Sequence, residues 1–88
     1  MSHPYTDIES NSNFTVREFK NDINPIELMW HRDQEDREVE ILEGNGWSFQ
    51  FDNQLPFVLS KGDHICIPAH VWHRVIRGSN SLKIKINF

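Results

Sequence analysis

Hydrophobic residues recur at every second position along most of the chain, the periodicity of strands with one face against a core. Phe14, Val16 and Phe19 open a first run. Ile26, Leu28 and Trp30 then alternate with Glu27, Met29 and His31, and Val39 and Ile41 alternate with Glu38 and Glu40. Trp47, Phe49 and Phe51 enclose Ser48 and Gln50, and Leu55, Phe57 and Leu59 form another row. Ile65 and Ile67 follow, and Leu82, Ile84, Ile86 and Phe88 alternate with Lys83, Lys85 and Asn87. Turn chemistry separates the runs at Gly44-Asn45-Gly46, Asp52-Asn53-Gln54, Lys61-Gly62-Asp63 and Gly78-Ser79-Asn80-Ser81. Pro56 inside its run marks an edge strand or a strand start, because proline cannot donate to a ladder. No segment carries a helical period. About eight short strands with regular turns predict an all-β sandwich or closed barrel.

At 88 residues the chain is long enough for one domain, read as a barrel over 14–88 preceded by a flexible, polar arm over 1–13. So short a domain buries only about 60% of its unfolded surface, which makes a homodimer a reasonable expectation. Six Phe, three Trp and one Tyr supply bulky core material although only 38% of residues are apolar. A net charge of −4 offers nothing to a phosphate backbone, so nucleic acid is a poor partner. A single cysteine, Cys66, rules out an internal disulfide and suggests a reducing, cytoplasmic setting. Cys66 itself is expected to be a small buried hydrophobe. No run approaches the roughly 18 apolar residues of a membrane span, and the first residues lack the basic start and apolar run of a signal peptide.

Two constellations carry candidate chemistry. In the first, His31 and Asp33 share one face of an extended segment, about 7 Å apart along the backbone, and an imidazole with a carboxylate can ligate a divalent metal. In the second, Gly62 and Pro68 are separated by five intervening residues, and Pro68 precedes His73, which opens a strand with Val75 on its face. His70 reads as an exposed turn residue and His64 as peripheral. Trp30 and Trp72 point away from the neighbouring histidines and read as packing or dimer contacts. The Trp47, Phe49 and Phe51 stripe is core first, although on a barrel's inner face it can also line a ligand cavity.

The segment from Trp30 to Arg77 resembles the small single-domain cupins, whose fold is a jelly-roll barrel of about eight antiparallel strands. The family's second motif, G-x5-P-x-G-x2-H-x3-N, is met by Gly62, Pro68 and His73, with His70 in the place of its glycine and Arg77 in the place of its asparagine. The first, G-x5-H-x-H-x(3,4)-E-x6-G, is met in part by His31, by Asp33 at the second histidine and by Gly44. Arg37 stands where its glutamate belongs.

The resemblance implies a divalent transition metal (zinc, iron, nickel or manganese) held by His31, Asp33 and His73, two imidazoles and a carboxylate with coordination positions left open. Arg37 has no lone pair to coordinate with. Three arrangements accommodate it: Arg37 turns away, a bulge brings Asp36 or Glu38 inward, or no metal binds and Arg37 pairs with Asp33. The leading functional reading is a metal-binding cupin with a small oxygen-rich ligand. The alternative is a metal-free module in which Arg37 holds a small anionic ligand beside Phe49 and Phe51, and a third is a structural dimer with a degenerate site.

Overall fold

A computed structural model describes residues 5–20, 22 and 28–88. Among the described residues eight strands run in chain order: β1 (Thr6–Ser10), β2 (Phe14–Phe19), β3 (Arg37–Glu43), β4 (Ser48–Phe51), β5 (Phe57–Val58), β6 (His64–Ile67), β7 (His73–Ile76) and β8 (Leu82–Asn87). All pairings are antiparallel, in a five-stranded sheet of order β1-β2-β8-β3-β6 and a three-stranded sheet of order β5-β4-β7. No ladder joins the two sheets among the described residues, so the barrel is two sheets sharing one core rather than a closed hydrogen-bonded cylinder. The all-β jelly-roll expectation holds, and no helix long and apolar enough to cross a membrane occurs among the described residues.

The core follows from the alternation of side chains across each strand. Val39 and Ile41 of β3 lie opposite Ile86 and Ile84 of β8, and Val39 lies opposite Ile65 of β6. Their neighbours in the other phase pair Glu40 with Lys85 across the same ladder, so one register places apolar pairs inside and opposite charges outside. Phe49, Leu59 and Trp47, which is 0% exposed, cover this floor from the other side. The Trp47 indole N–H donates to the Asn80 carbonyl, satisfying the one polar group it carries into the core.

Several expectations change. Among the described residues of the run 26–31 no strand forms: Ile26 and Glu27 lie outside them, 28–30 are unpaired, and His31 makes a single bridge to His73. Leu28 is buried and Met29 exposed all the same, because alternating burial needs only an extended chain on a core, not a ladder partner. The row Leu55, Phe57, Leu59 shrinks to the two-residue edge strand β5. Only Leu59 is buried and Leu55 is 88% exposed, with Pro56 denying the ladder a donor.

In β2 the inward phase is Thr15, Arg17 and Phe19. Val16, expected with the core set, lies opposite Lys85 on the outer face, and Lys85 caps the Phe14 ring. Cys66 is exposed rather than buried, since Ile65 and Ile67 take the inward phase of β6; His64 shares its outer face. Residues 6–10 of the expected arm form edge strand β1, tied to β2 by the ladder and by Asp7–Arg17 at 2.8 Å.

Candidate metal centre

His31 and His73 face each other across a two-residue antiparallel bridge. The His31 N–H donates to the His73 carbonyl at 3.0 Å and the His73 N–H to that of His31 at 2.9 Å. This backbone pair holds the two rings 4.2 Å apart, edge to face. His73 begins β7 opposite Phe51 of β4 and is 3% exposed, with the Phe49 ring stacked 5.6 Å away. His31 sits at the open end.

Both imidazoles are turned the same way by their own backbone. His73 Nδ1 lies 2.9 Å from the Val71 carbonyl and His31 Nδ1 3.3 Å from the Met29 carbonyl. A carbonyl only accepts, so each neutral ring carries its proton on Nδ1 and directs the Nε2 lone pair elsewhere. This is how histidine ligands are oriented in metal sites.

Asp33 reaches the same point through the loop before β3. Its backbone carbonyl accepts from the His70 N–H at 2.8 Å, and the Asp36 carboxylate accepts from the Ala69 N–H at 2.7 Å. Two hydrogen bonds thus stitch the 33–36 loop to the 68–70 turn. His70 adopts φ +67° there, the left-handed conformation that suits the glycine of the motif it resembles. As expected, it is an exposed turn residue.

Asp33 Oδ2 lies 3.5 Å from His73 Nε2, and the three donors of His31, Asp33 and His73 fall within 4.8 Å of one another. Donors bound about 2.0–2.2 Å from one ion stand about 3–4 Å apart, so small side-chain shifts would close the set. The donor chemistry fits a divalent transition metal with open positions. Asp36 and Glu38 do not swing inward; both are exposed.

Arg37 points into the barrel from the first position of β3. Its Nε is 3.3 Å from Asp33 Oδ2, near enough to attract but misaligned for a hydrogen bond, and it is buried without another acceptor. A buried unsatisfied donor costs about 1–3 kcal/mol, so this pairing is a poor resting place for a guanidinium.

Two cavities meet at these residues. An inner chamber of about 80 Å³ is apolar apart from the three ligand candidates, Arg37 and Arg17. An outer mouth of about 410 Å³ shares His31, Asp33, Arg37, Arg17, Phe19 and Val75 with it. Phe49 lines the chamber; Phe51 packs edge-on against Phe49, 4.9 Å between centroids, and does not line it. Trp30, read as a packing or dimer contact, lines the mouth beneath the Arg74 guanidinium, while Trp72 is exposed under Arg32. Arg17 and Phe19 are site-lining residues that sequence reasoning missed. The available signal was a charged residue in the inward phase of β2, hidden because Val16 and Phe14 suggested the opposite phase.

Burial is the main influence holding the His73 pKa below the ordinary value of 6.5, with the charges of His31 and Arg37 acting in the same direction. The Val71 carbonyl and Asp33 oppose it without cancelling it. A histidine whose pKa is lower folded than unfolded binds more protons when unfolded. Its contribution to stability is therefore present above pH 6.5 and is lost as pH falls through the folded value. Urea unfolding of the metal-free protein should show stability falling below about pH 6.5, and His73→Gln should flatten that part of the profile. A wild-type profile as flat as the variant's would contradict this.

No protein-family model matches the sequence, and no curated protein sequence matches it. Solved structures do match. A cupin-2 domain protein from Shewanella frigidimarina aligns over 93% of this chain and 76% of its own, with a TM-score of 0.61 at 19% identity. A cupin 2 conserved barrel protein from Leptotrichia buccalis aligns over 93% of this chain and 38% of its own, with a TM-score of 0.67 at 22% identity. Iron(II) HppE in complex with substrate aligns over all of this chain and 55% of its own, with a TM-score of 0.67 at 18% identity. At these identities the likeness is one of fold, and the fold is a cupin barrel.

Proposed function

On this cupin barrel, we propose that His31, Asp33 and His73 bind one divalent transition metal ion, together with a small oxygen-rich ligand. The observation that carries the proposal is the convergence of three donors within 4.8 Å, with both imidazoles oriented by backbone carbonyls to present Nε2. Zinc, iron, nickel and manganese all suit two imidazoles and a carboxylate. The iron(II) of the structural neighbour HppE makes iron the first ion to test. The bound ion would supply Lewis acidity toward a ligand oxygen, while the apolar chamber and Phe49 would exclude water.

One observation favours a second reading. The 3.3 Å approach of Arg37 to Asp33 sets a cation against a ligand candidate, and the inward guanidinium, with its buried Nε making no hydrogen bond, suits a metal-free module that receives a small anion.

Metal analysis of untagged protein after incubation with each of the four ions separates the two. About one ion per chain, lost in His73→Ala, is the expected result. Native protein that takes up none, while Arg37→Glu does, would show a decayed site and sink the metal reading.

A further inference from the structure

We infer that the metal and a short-chain carboxylate bind this barrel as a cooperative pair, with Arg37 passing from Asp33 to the carboxylate when the metal takes Asp33. The inference rests on the metal reading above and adds the ligand class and the residue that couples the two.

In the structure as it stands, Asp33 and Arg37 offset each other at 3.3 Å, and Arg17 is matched by Asp7 and capped by the Tyr5 ring at 3.7 Å. These arginines, Asp33 and the two histidines are the only ionisable residues lining the chamber among those described, and Tyr5 is the only further one at the mouth. A divalent ion at His31, Asp33 and His73 would engage the carboxylate that Arg37 now leans on. The centre would then carry two uncompensated positive charges against an apolar wall, a costly state unless an anion joins it.

Geometry selects the anion. Arg37 Nε is buried with no hydrogen-bond acceptor, so no hydrogen bond from Nε holds it at Asp33 when it turns elsewhere. His31, Asp33 and Arg37 line both the chamber and the mouth, so an anion at their junction meets the metal donors and the guanidinium together. With Arg17 occupied by Asp7, one planar guanidinium remains for the ligand, which matches a carboxylate better than a polyphosphate. The chamber behind is walled by Val39, Ile41, Phe49, Ile65, Leu82 and Ile86, which calls for a short hydrocarbon tail rather than a sugar.

Calorimetric titration with zinc and butyrate as probes tests this. Butyrate should bind zinc-loaded protein at least about tenfold more tightly than metal-free protein, and saturating butyrate should tighten zinc by the same factor. Acetate, lacking the tail, should bind more weakly in both states. Arg37→Met should bind zinc alone more tightly, because Asp33 is released, yet bind butyrate more weakly and lose the coupling. Arg37→Lys should keep part of it, and thermal unfolding shows whether each variant is folded. Opposite signs for zinc and butyrate distinguish this role from a structural one, which would weaken both. Zinc uptake with equal butyrate affinity in the two states overturns the inference and leaves the metal reading standing. Protein that takes up no zinc or other tested ion overturns both.

Discussion

Gly78→Ala is expected to unfold the protein or to lower its melting temperature by more than about 10 °C. Gly78 lies where the turn before β8 presses against the turn before β4. A Cβ there would be driven into the Asn45 carbonyl oxygen and the Trp47 backbone nitrogen, with the Gly46 carbonyl carbon at 2.6 Å. These are backbone atoms, so no rotamer change relieves the clash. The two turns must part instead, which breaks the Ser79 N–H to Asn45 carbonyl bond of 2.9 Å and the indole bond from Trp47 to Asn80. Overpacking of this kind costs about 1–3 kcal/mol, and each lost hydrogen bond adds about 1 kcal/mol.

A chain of 88 residues has about 4–13 kcal/mol to lose in total. Gly62→Ala is the comparison. Its Cβ would meet nothing within 4 Å, so only the φ of +91° opposes it, at about 1–2 kcal/mol. Differential scanning calorimetry of the two variants should rank them clearly. A Gly78→Ala protein melting within a few degrees of wild type would mean that the two turns are not held as close as described.

The fold was legible because burial enforces a period of two wherever a strand lies on the core, as in Val39 and Ile41 or Ile65 and Ile67. The same reasoning misjudged 28–31 and 55–59. Alternation reports which side chains are buried, whereas a strand also needs a backbone partner, and that partner is set by tertiary context. Arg17 escaped notice for a related reason. An inward arginine opposite Ile84 is tolerated only because Asp7 of β1 and the Tyr5 ring receive it, and the sequence offers no local sign of that reception.

The candidate site was legible as a set of residue types and spacings but not as a geometry. His31, Asp33 and His73 were identified by motif position, and the structure brings them together through contacts between segments about forty residues apart. The departures from the motif were informative in different ways. His70 takes the left-handed φ expected of its glycine, so that substitution leaves the turn intact. Arg37 enters the barrel beside the ligand candidates instead of turning away, an outcome that the residue type alone left open among three. Which of them holds depends on the depth of β3 in the sheet and on Asp33 being fastened to the 68–70 turn.

Asp33→Asn should reduce zinc affinity by about 100-fold or more while leaving the fold nearly unchanged. The substitution keeps the shape of the side chain and the backbone carbonyl that accepts from His70, so the stitch between the 33–36 loop and the 68–70 turn survives. It removes the only anionic donor within the candidate set. Two imidazoles alone then face a divalent ion with the Arg37 cation close by, and the attraction that offset that repulsion is gone. The ion pair's own contribution to stability is small, about 1 kcal/mol or less, because the Asp33 and Arg37 side chains remain 19% and 32% exposed.

Anion binding should move the other way. Metal-free Asp33→Asn leaves Arg37 without its carboxylate, so butyrate should bind it more tightly than it binds metal-free wild type. Loss of zinc with gain of butyrate is a signature that misfolding cannot imitate, since a collapsed cavity loses both. Zinc affinity within about threefold of wild type would remove Asp33 from the ligand set. The two histidines would then remain only as the bridge that joins their backbones.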